Sequence, residues 1–290
     1  MFPEFIHYRR GAASIWIDPR LADRSFIDRL ADADQLFDNP LCQIIKDQEK
    51  IKVGRFTMDI AGAPHAIYIK RYNAFSLRHR LASPFVHSGA FRALRGAAIL
   101  RAASIPIAVP IAAVENRVRG ALTKSFFISE EIANGKTLDA YWRDELVTLI
   151  GGDGIARRRG FLKGLAQLFL NLHGQGIYHN DLKDANILAV DGSEGAVRFF
   201  LLDLEGVKRY APLSEKRRVK NLVQLYRTLG RYLRRTDRLI FLKCYLGATF
   251  VRRKVRRQLI KKLLRESRRL DSMKAGQMRG ESVLTTVSHG

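Results

Sequence analysis

The chain has little cysteine, which limits the kinds of site that it can form. Among its 290 residues only Cys42 and Cys244 are cysteines, and they lie far apart without any CxxC or Cys/His spacing. A disulfide framework and a zinc site are therefore not expected. A reducing, cytoplasmic compartment fits this composition best.

Long hydrophobic runs are also lacking. Glu4, His7 and Arg9 interrupt the residues after Met1, so we expect no secretory signal peptide. The longest apolar stretch, 105–114, has ten residues and contains two prolines. A membrane-spanning helix needs about 20 apolar residues. Any contact with a membrane is therefore expected to be peripheral.

Acidic residues are scarce in the last third of the chain. The formal net charge is +23, and residues 208–279 hold 24 Lys and Arg against four acids, a local net of +20. This placement indicates a near-neutral body followed by a strongly cationic segment. Since no RNP, zinc-finger or helix-turn-helix pattern accompanies the charge, nucleic acid is not the expected partner.

The order of predicted elements indicates an α+β protein. Short β-rich runs predict antiparallel strands within 44–72, and the pattern of residues 91–103 predicts a helix that ends before Pro106. A strand at 124–132, a long buried helix around 161–172, a hairpin over 185–204 and helices over 214–270 follow. We expect a small antiparallel β-sheet lobe, 1–132, and a larger helical lobe, 133–290.

The segment GIYHNDLKDANIL (176–188) is a polar cluster between a buried helix and an apolar strand. Within it, the spacing Asp181-x-Lys183-x-x-Asn186 resembles that of the protein-kinase catalytic loop. Downstream, Asp203 ends an apolar strand in LLDLEG (201–206), which resembles the DFG turn. Upstream, Lys70 ends the predicted strand HAIYIK. Each residue alone has an ordinary structural explanation as a cap, a turn residue or a solvated lysine, but the ordered set favours a protein-kinase-like bilobal fold.

This resemblance implies a role for each residue. Asp181 receives or orients the acceptor hydroxyl, and Lys183 stabilises charge on the transferred phosphoryl group. Lys70, Asn186 and Asp203 bind the nucleotide, with Asn186 and Asp203 as the ligands of Mg²⁺. Phosphoryl transfer needs mainly positioning and charge neutralisation, which is why carboxylates, an amide and cations suffice. His179 is expected to be structural.

Three stretches make the resemblance closer. HAIYIKRYN (65–73), RAASIPIAVPIA (101–112) and RLIFLKCYLG (238–247) look like the bacterial lipopolysaccharide kinase family, the Kdo/WaaP-type sugar kinases. The resemblance covers roughly 44–247. It implies ATP with Mg²⁺ as donor and a Kdo or heptose hydroxyl of the lipopolysaccharide inner core as acceptor. It also implies a peripheral location at the cytoplasmic face of the inner membrane.

The sequence departs from the protein-kinase pattern at several positions. The presumed glycine-rich loop, 46–56, has Gly54 as its one glycine, and no Asp or Glu occurs between Ala66 and Val114. The glutamate that kinases place on a helix to pair with the strand lysine is therefore missing. We expect Lys70 to be balanced by phosphates or by Asp203, and a pairing with Glu49 or Glu130 would overturn that expectation.

Other functions remain open at this stage. The same loop occurs in phosphotransferases that act on other small-molecule or protein hydroxyls. A function of another class would be a basic pseudokinase scaffold or a nucleic-acid-binding protein, although the intact site residues argue against a scaffold.

The basic run 251–270 predicts an amphipathic helix. Its apolar positions, from Val251 and Val255 to Leu264, are expected to share one face. The helix either docks on an anionic membrane surface or packs its apolar side on the helical lobe with solvated charges outside. Both can hold at once.

Overall fold

The structure, a computed structural model, describes residues 4–73, 87–192 and 195–287, with side chains up to Met273. The chain divides into two compact units. The first comprises Met1–Gly135 and Phe200–Lys208, and the second comprises Lys136–Phe199 and Arg209–Gly290. Asp203 therefore belongs to the unit of Lys70, whereas the sequence-based boundary after residue 132 assigns it to the other lobe.

The first unit is built on an antiparallel sheet. Within the described residues the sheet has seven strands in the order β1-β2-β6-β7-β5-β4-β3. The strands are β1 (Ile6–Arg10), β2 (Ala13–Ile17), β3 (Gln43–Gln48), β4 (Ile51–Ile60), β5 (Ala63–Asn73), β6 (Pro110–Val118) and β7 (Ala121–Glu130). Alternate residues of β2 and β4 are buried, as expected of strands with one face on a core.

Two helices accompany this sheet. Helix α1 (Arg24–Ala31) begins at Asp23, whose carboxylate accepts the backbone N–H of Phe26, and its apolar side joins the core against β2. Helix α2 (Gly89–Ala102) begins at Ser88, whose hydroxyl accepts the N–H of Phe91 at 3.0 Å. Residues of α2 contact β5, β6 and β7, so this helix lies close to the strand of Lys70.

The second unit is mainly helical. Its helices are α3 (Leu138–Tyr141), α4 (Gly151–Gly174), α5 (Glu215–Arg227), α6 (Arg235–Leu246) and α7 (Arg253–Val287). The buried side of α4 includes Phe161, Leu165 and Phe169, which recur at helical spacing. Burying these side chains is the main source of the stability of this helix. It ends directly before the catalytic-loop segment.

Short strands complete the chain. They are β8 (Lys136–Thr137), β9 (Ile177–His179), β10 (Ile187–Asp191), β11 (Val197–Leu201) and β12 (Val207–Arg209). β10 lies between β8 and β11 in one sheet, so the predicted hairpin over 185–204 is confirmed. Its predicted turn includes Ser193 and Glu194, which lie outside the described residues. Within the described residues, no helix is long and apolar enough to span a membrane.

Several predicted elements agree with the structure, and six strands were not anticipated. The strands within 44–72 and 124–132, the helix over 91–103, the long helix and the final helices are all present. β1, β2 and β6 of the large sheet and the short strands β8, β9 and β12 were not predicted. Pro110 obscured β6, but it is the first residue of that strand, a position that tolerates a missing N–H.

Candidate active site

Lys70 lies in the interior of β5, three residues before the strand ends at Asn73. It is opposite Val53 of β4 and Phe127 of β7, so both flanking strands fix its backbone. Its Nζ is 2.5 Å from Oδ1 of Asp203. Of the two partners expected for Lys70, phosphates or Asp203, the structure shows Asp203. Glu130 instead lies 3.6 Å from His65.

Asp203 follows β11 in an unusual backbone conformation. Its φ is 57° and its ψ is 52°, the left-handed region that non-glycine residues seldom adopt. A short 3₁₀ turn, Leu204–Gly206, begins directly after it. Such strained residues persist only where their surroundings hold them, and they are frequent at active sites. Here the ion pair with Lys70 is one of the restraints.

Two glycines of α2 let this helix approach the Lys70 region closely. A Cβ on Gly89 would lie 2.5 Å from the Tyr72 ring, and a Cβ on Gly96 would lie 2.1 Å from the carbonyl oxygen of Leu204. Both distances are too short for any side chain. The helix therefore packs its backbone against the strand of Lys70 and against the turn after Asp203.

Glu205 adds a second carboxylate to this region. Its pKa is raised by burial, while the nearby charge of Lys70 lowers it, Asp203 raises it and Arg92 lowers it. Burial raises the pKa of the Tyr72 hydroxyl well above its ordinary value, and the nearby charges of Glu205 and Asp203 raise it further. No role was predicted for Glu205 from the sequence. The feature that could have indicated one is an acidic residue two positions after Asp203 in a chain that lacks the helix glutamate.

In the second unit, the structure brings Asp181, Lys183 and Asn186 together. Oδ2 of Asp181 lies 2.7 Å from Nζ of Lys183. The side-chain amide of Asn186 donates to the Asp181 carbonyl oxygen at 2.7 Å and to Oδ2 at 3.0 Å. The Asp181 carboxylate thus has a cation and an amide beside it. Since the amide nitrogen of Asn186 makes these bonds, its oxygen is the atom suited to a metal ion.

Helix α5 braces the backbone of this loop through polar side chains that sequence analysis did not single out. Asn221 donates to the carbonyl of buried His179 at 2.5 Å, and Gln224 donates to the carbonyl of Asn180 at 2.6 Å. Thr228 accepts the backbone N–H of Asp184 at 3.2 Å. His179 accepts the N–H of Asp181 through Nδ1, as expected of a structural histidine. The sequence feature that could have indicated this support is the set of polar residues at helical spacing in α5.

A group of cations and aromatic rings lies beside the same loop. We call Tyr178, Asn180, Tyr210, Arg217 and Lys220 the Tyr178 cluster. Nζ of Lys220 and the Tyr178 hydroxyl both donate to Oδ1 of Asn180, each at 3.2 Å. The Arg217 guanidinium is 3.7 Å from the centre of the Tyr210 ring. Lys220 therefore lies beside the side chain of Asn180, the residue that directly precedes Asp181.

The β3–β4 hairpin corresponds to the presumed glycine-rich loop, but its glycine serves packing. Gly54 lies within β4, where an added Cβ would be 2.7 Å from Sγ of Cys42 and 3.1 Å from the Phe37 ring. Its lack of a side chain accommodates these neighbours. Gly54 is therefore explained by packing in the core of the first unit.

The chemistry of these donors suits a nucleotide with a divalent metal. Lys70 offers a cation for phosphate oxygens, and the carboxylate of Asp203 and the amide oxygen of Asn186 are ligands that Mg²⁺ prefers. Among the described residues, no group of three or more His, Cys, Asp or Glu side chains forms a metal cluster. The predicted ligand set is smaller than such a cluster, because protein sites for Mg²⁺ usually combine one or two carboxylates with water and substrate phosphates.

Comparisons with known proteins agree with this geometry. The family model described as "Lipopolysaccharide kinase (Kdo/WaaP) family" matches residues 42–245. A solved structure titled "WaaP in complex with acyl carrier protein" is similar, with a TM-score of 0.61 and 18% sequence identity. The match covers 86% of this chain and 97% of that chain. No curated protein matches. The structural match confirms the predicted kinase-like α+β fold.

Proposed function

Because the chain belongs to the lipopolysaccharide kinase (Kdo/WaaP) family, we propose that it transfers the γ-phosphoryl group of ATP to a hydroxyl of Kdo in the inner core. Membership makes the chain an ATP-dependent kinase with a hydroxyl acceptor on the lipopolysaccharide core. The choice of Kdo over heptose, the use of Mg²⁺ and the role of each residue belong to the proposal.

The observation that supports this function best is the arrangement around Asp181. Its carboxylate lies between the ammonium of Lys183 and the amide of Asn186. In the proposal, this carboxylate orients the acceptor hydroxyl and accepts its proton. Lys183 stabilises the charge on the transferred group, since a fixed cation needs no reorganisation during the reaction.

The nucleotide is assigned to Lys70, Asp203 and Asn186. Lys70 binds phosphate oxygens as a point charge, and its ion pair with Asp203 holds the ammonium in place. Asp203 and Asn186 supply the oxygen ligands for Mg²⁺. Bound Mg²⁺ would neutralise phosphate charge.

The Tyr178 cluster favours an acceptor that carries a negative charge. Lys220 places a cation beside Asn180, and the guanidinium of Arg217 lies on the Tyr210 ring of the same cluster. Kdo has a carboxylate, whereas an unmodified heptose is neutral. A carboxylate near a guanidinium and an ammonium gains charge-assisted hydrogen bonds. We therefore assign Kdo as the acceptor, with the cluster binding its carboxylate.

The test is phosphoryl transfer from labelled ATP to core saccharides that end in Kdo or in heptose, with mass spectrometry of the products. Transfer to the Kdo-terminated saccharide is expected, and exclusive transfer to heptose would contradict the assignment. Lys220→Gln should raise the KM for the acceptor about tenfold and leave that for ATP unchanged. Lys216→Gln is the matched control, because Lys216 is exposed on the same helix.

We further propose that α7 docks the enzyme on the anionic inner face of the inner membrane. Leu263 and Leu264 line an apolar cavity of about 490 Å³ with residues of α4, α5 and α6, so these positions face inward. Arg253 and Arg257 are exposed. Val251 precedes the helix and is 80% exposed, so the predicted apolar face does not extend to it.

Co-sedimentation with anionic liposomes tests this docking. Each basic residue near an anionic surface contributes about 1 kcal/mol, so Arg253→Glu with Arg257→Glu should weaken binding about tenfold or more. The matched control reverses two exposed charges of α1, Arg24→Glu with Arg29→Glu. Equal binding of both variants, or binding that does not change with salt, would remove the membrane proposal and leave the kinase assignment unaffected.

A further inference from the structure

In the structure, Lys70 pairs with a carboxylate that the proposed function also assigns to the metal ion. Its 2.5 Å partner is Asp203, the assigned metal ligand. One carboxylate shared between an ammonium and a divalent cation restrains each of them less. Helix α2 offers no replacement, because no Asp or Glu occurs between Ala66 and Val114. A second carboxylate is needed to keep Lys70 in place when Asp203 binds a metal ion.

Glu205 is placed to supply that carboxylate. It lies in the turn directly after Asp203, and the close approach of α2 at Gly96 fixes the backbone of this turn. In the part of the chain that the structure describes, Oε2 of Glu205 is buried and has no hydrogen-bond partner. A buried acceptor without a partner costs free energy, so it favours the approach of a nearby donor.

Tyr72 connects Glu205 to Lys70. Nζ of Lys70 is 4.8 Å from the centre of the Tyr72 ring, within cation–π distance. The hydroxyl of the same ring lies near the Glu205 carboxylate, whose charge contributes to its raised pKa. Gly89 permits the ring to lie against α2, since a Cβ there would overlap it. The ring therefore has an ammonium over its face and a carboxylate at its hydroxyl.

We propose that Glu205, through Tyr72 and its own charge, is the positioning residue for Lys70 and replaces the glutamate that protein kinases carry on a helix. The proposal rests on the proposed function, because it assigns Lys70 to the nucleotide. Helix α2 keeps a structural part of that role: it holds Tyr72 at Gly89 and the Glu205 turn at Gly96. The carboxylate itself comes from the turn after Asp203.

The first test is the isosteric variant Glu205→Gln. It removes the charge and keeps the shape, so the KM for ATP and the Kd for a fluorescent ATP analogue should each rise about tenfold. The KM for the saccharide acceptor should stay unchanged. Glu131→Gln is the matched control, because Glu131 of the same unit pairs with Arg55 at 2.8 Å.

The second readout is independent of transfer. Acetylation of Lys70 by an amine-reactive reagent, followed by peptide mass spectrometry in the presence of Mg²⁺, should be several-fold faster in Glu205→Gln than in the wild type. Lys124, which pairs with Asp34, is the internal control. Tyr72→Phe keeps the ring, and it should change the nucleotide affinity and the acetylation rate in the same direction as Glu205→Gln but by less. If one of the two variants fails to fold, the other still tests the proposal.

Unchanged nucleotide affinity in Glu205→Gln, or unchanged acetylation of Lys70, overturns the proposal. These two measurements need no acceptor. A failure of the assigned saccharide phosphorylation can therefore be distinguished from a failure of the Glu205 assignment.

Discussion

Each of the two units brings its own candidate site residues together in a different way. In the second unit, Asp181, Lys183 and Asn186 come from one short loop, and the Asp181 carboxylate contacts the side chains of the other two. In the first unit, Lys70 and Asp203 are separated by 133 positions in sequence and meet only through the fold. The proposed acceptor residues thus form a local structure with helical support, whereas the proposed nucleotide residues Lys70 and Asp203 depend on tertiary packing. Substitutions in the two parts should therefore have separable effects.

The largest effect is expected at the catalytic loop. Asp181→Asn removes the proton acceptor and should lower kcat by about 10³-fold, since general base catalysis contributes 10²- to 10⁴-fold. Nucleotide affinity should stay within about twofold of the wild-type value, because Lys70 and Asp203 are unchanged. Steady-state kinetics and nucleotide titration measure the two quantities. A parallel loss of both would show that the two parts are not separable.

An effect of similar size concerns stability in acid and is specific to the second unit. The pKa of His173 is lowered to about 4, because the effect of burial is larger than the opposing effect of the Asn221 side chain. Its Nδ1 lies 2.8 Å from the Tyr245 hydroxyl. The unfolded histidine, with a pKa of about 6.5, binds its proton first, so the stabilisation is complete above pH 6.5 and is lost as the pH falls toward 4.

Denaturant unfolding across this pH range measures the loss, which is on the order of 3 kcal/mol from the pKa difference. His173→Phe keeps the aromatic ring and should flatten the pH dependence of the unfolding free energy. His65→Phe, at a histidine of the first unit, should leave the slope as in the wild type. An unchanged slope in His173→Phe would contradict the assignment.

A smaller effect is expected in the nucleotide part. Asp203→Asn removes both the charge that pairs with Lys70 and a metal ligand, so the affinity for ATP with Mg²⁺ should fall about tenfold to a hundredfold. Isothermal titration with and without Mg²⁺ measures this. The metal should strengthen nucleotide binding less in the variant than in the wild type. An undiminished effect of Mg²⁺ would remove Asp203 as a ligand.

The smallest effect is expected at the helical support of the loop. Asn221→Ala leaves the buried carbonyl of His179 without its 2.5 Å donor, which should cost about 1–3 kcal/mol of stability and lower kcat modestly. Asn171→Ala is the control, because Asn171 is exposed and bonds to Gln167 on α4. Equal destabilisation by the two substitutions would mean that α5 does not brace the loop.

The same contrast explains how much the sequence predicted. The catalytic loop was recognisable because Asp181, Lys183 and Asn186 keep a fixed spacing that their local geometry requires. The sequence could not decide whether Asp203 or phosphates pair with Lys70. Lys70 and Asp203 are 133 positions apart and meet through the packing of the sheet and the turn, which their spacing in sequence does not encode. Glu205 was missed for the same reason. Its significance depends on Tyr72 and on the approach of α2 at Gly96.

The prediction of strands shows a related limit. The strands at 44–72 have clear β-rich runs between turn signals, so local pattern sufficed. β1 and β2 lie at one side of the seven-stranded sheet, and β2 joins the sheet by pairing with β6. That pairing joins residues about 100 positions apart, which local periodicity cannot indicate.

The most direct test of the central claim is a single-turnover reaction with γ-labelled ATP, Mg²⁺ and Kdo-terminated core saccharide, run with the wild type and with Asp181→Asn. The wild type should place the label on a saccharide hydroxyl, whereas Asp181→Asn should bind the labelled nucleotide without transferring it. Label released only as inorganic phosphate by the wild type, or saccharide labelled equally by both proteins, would contradict the account.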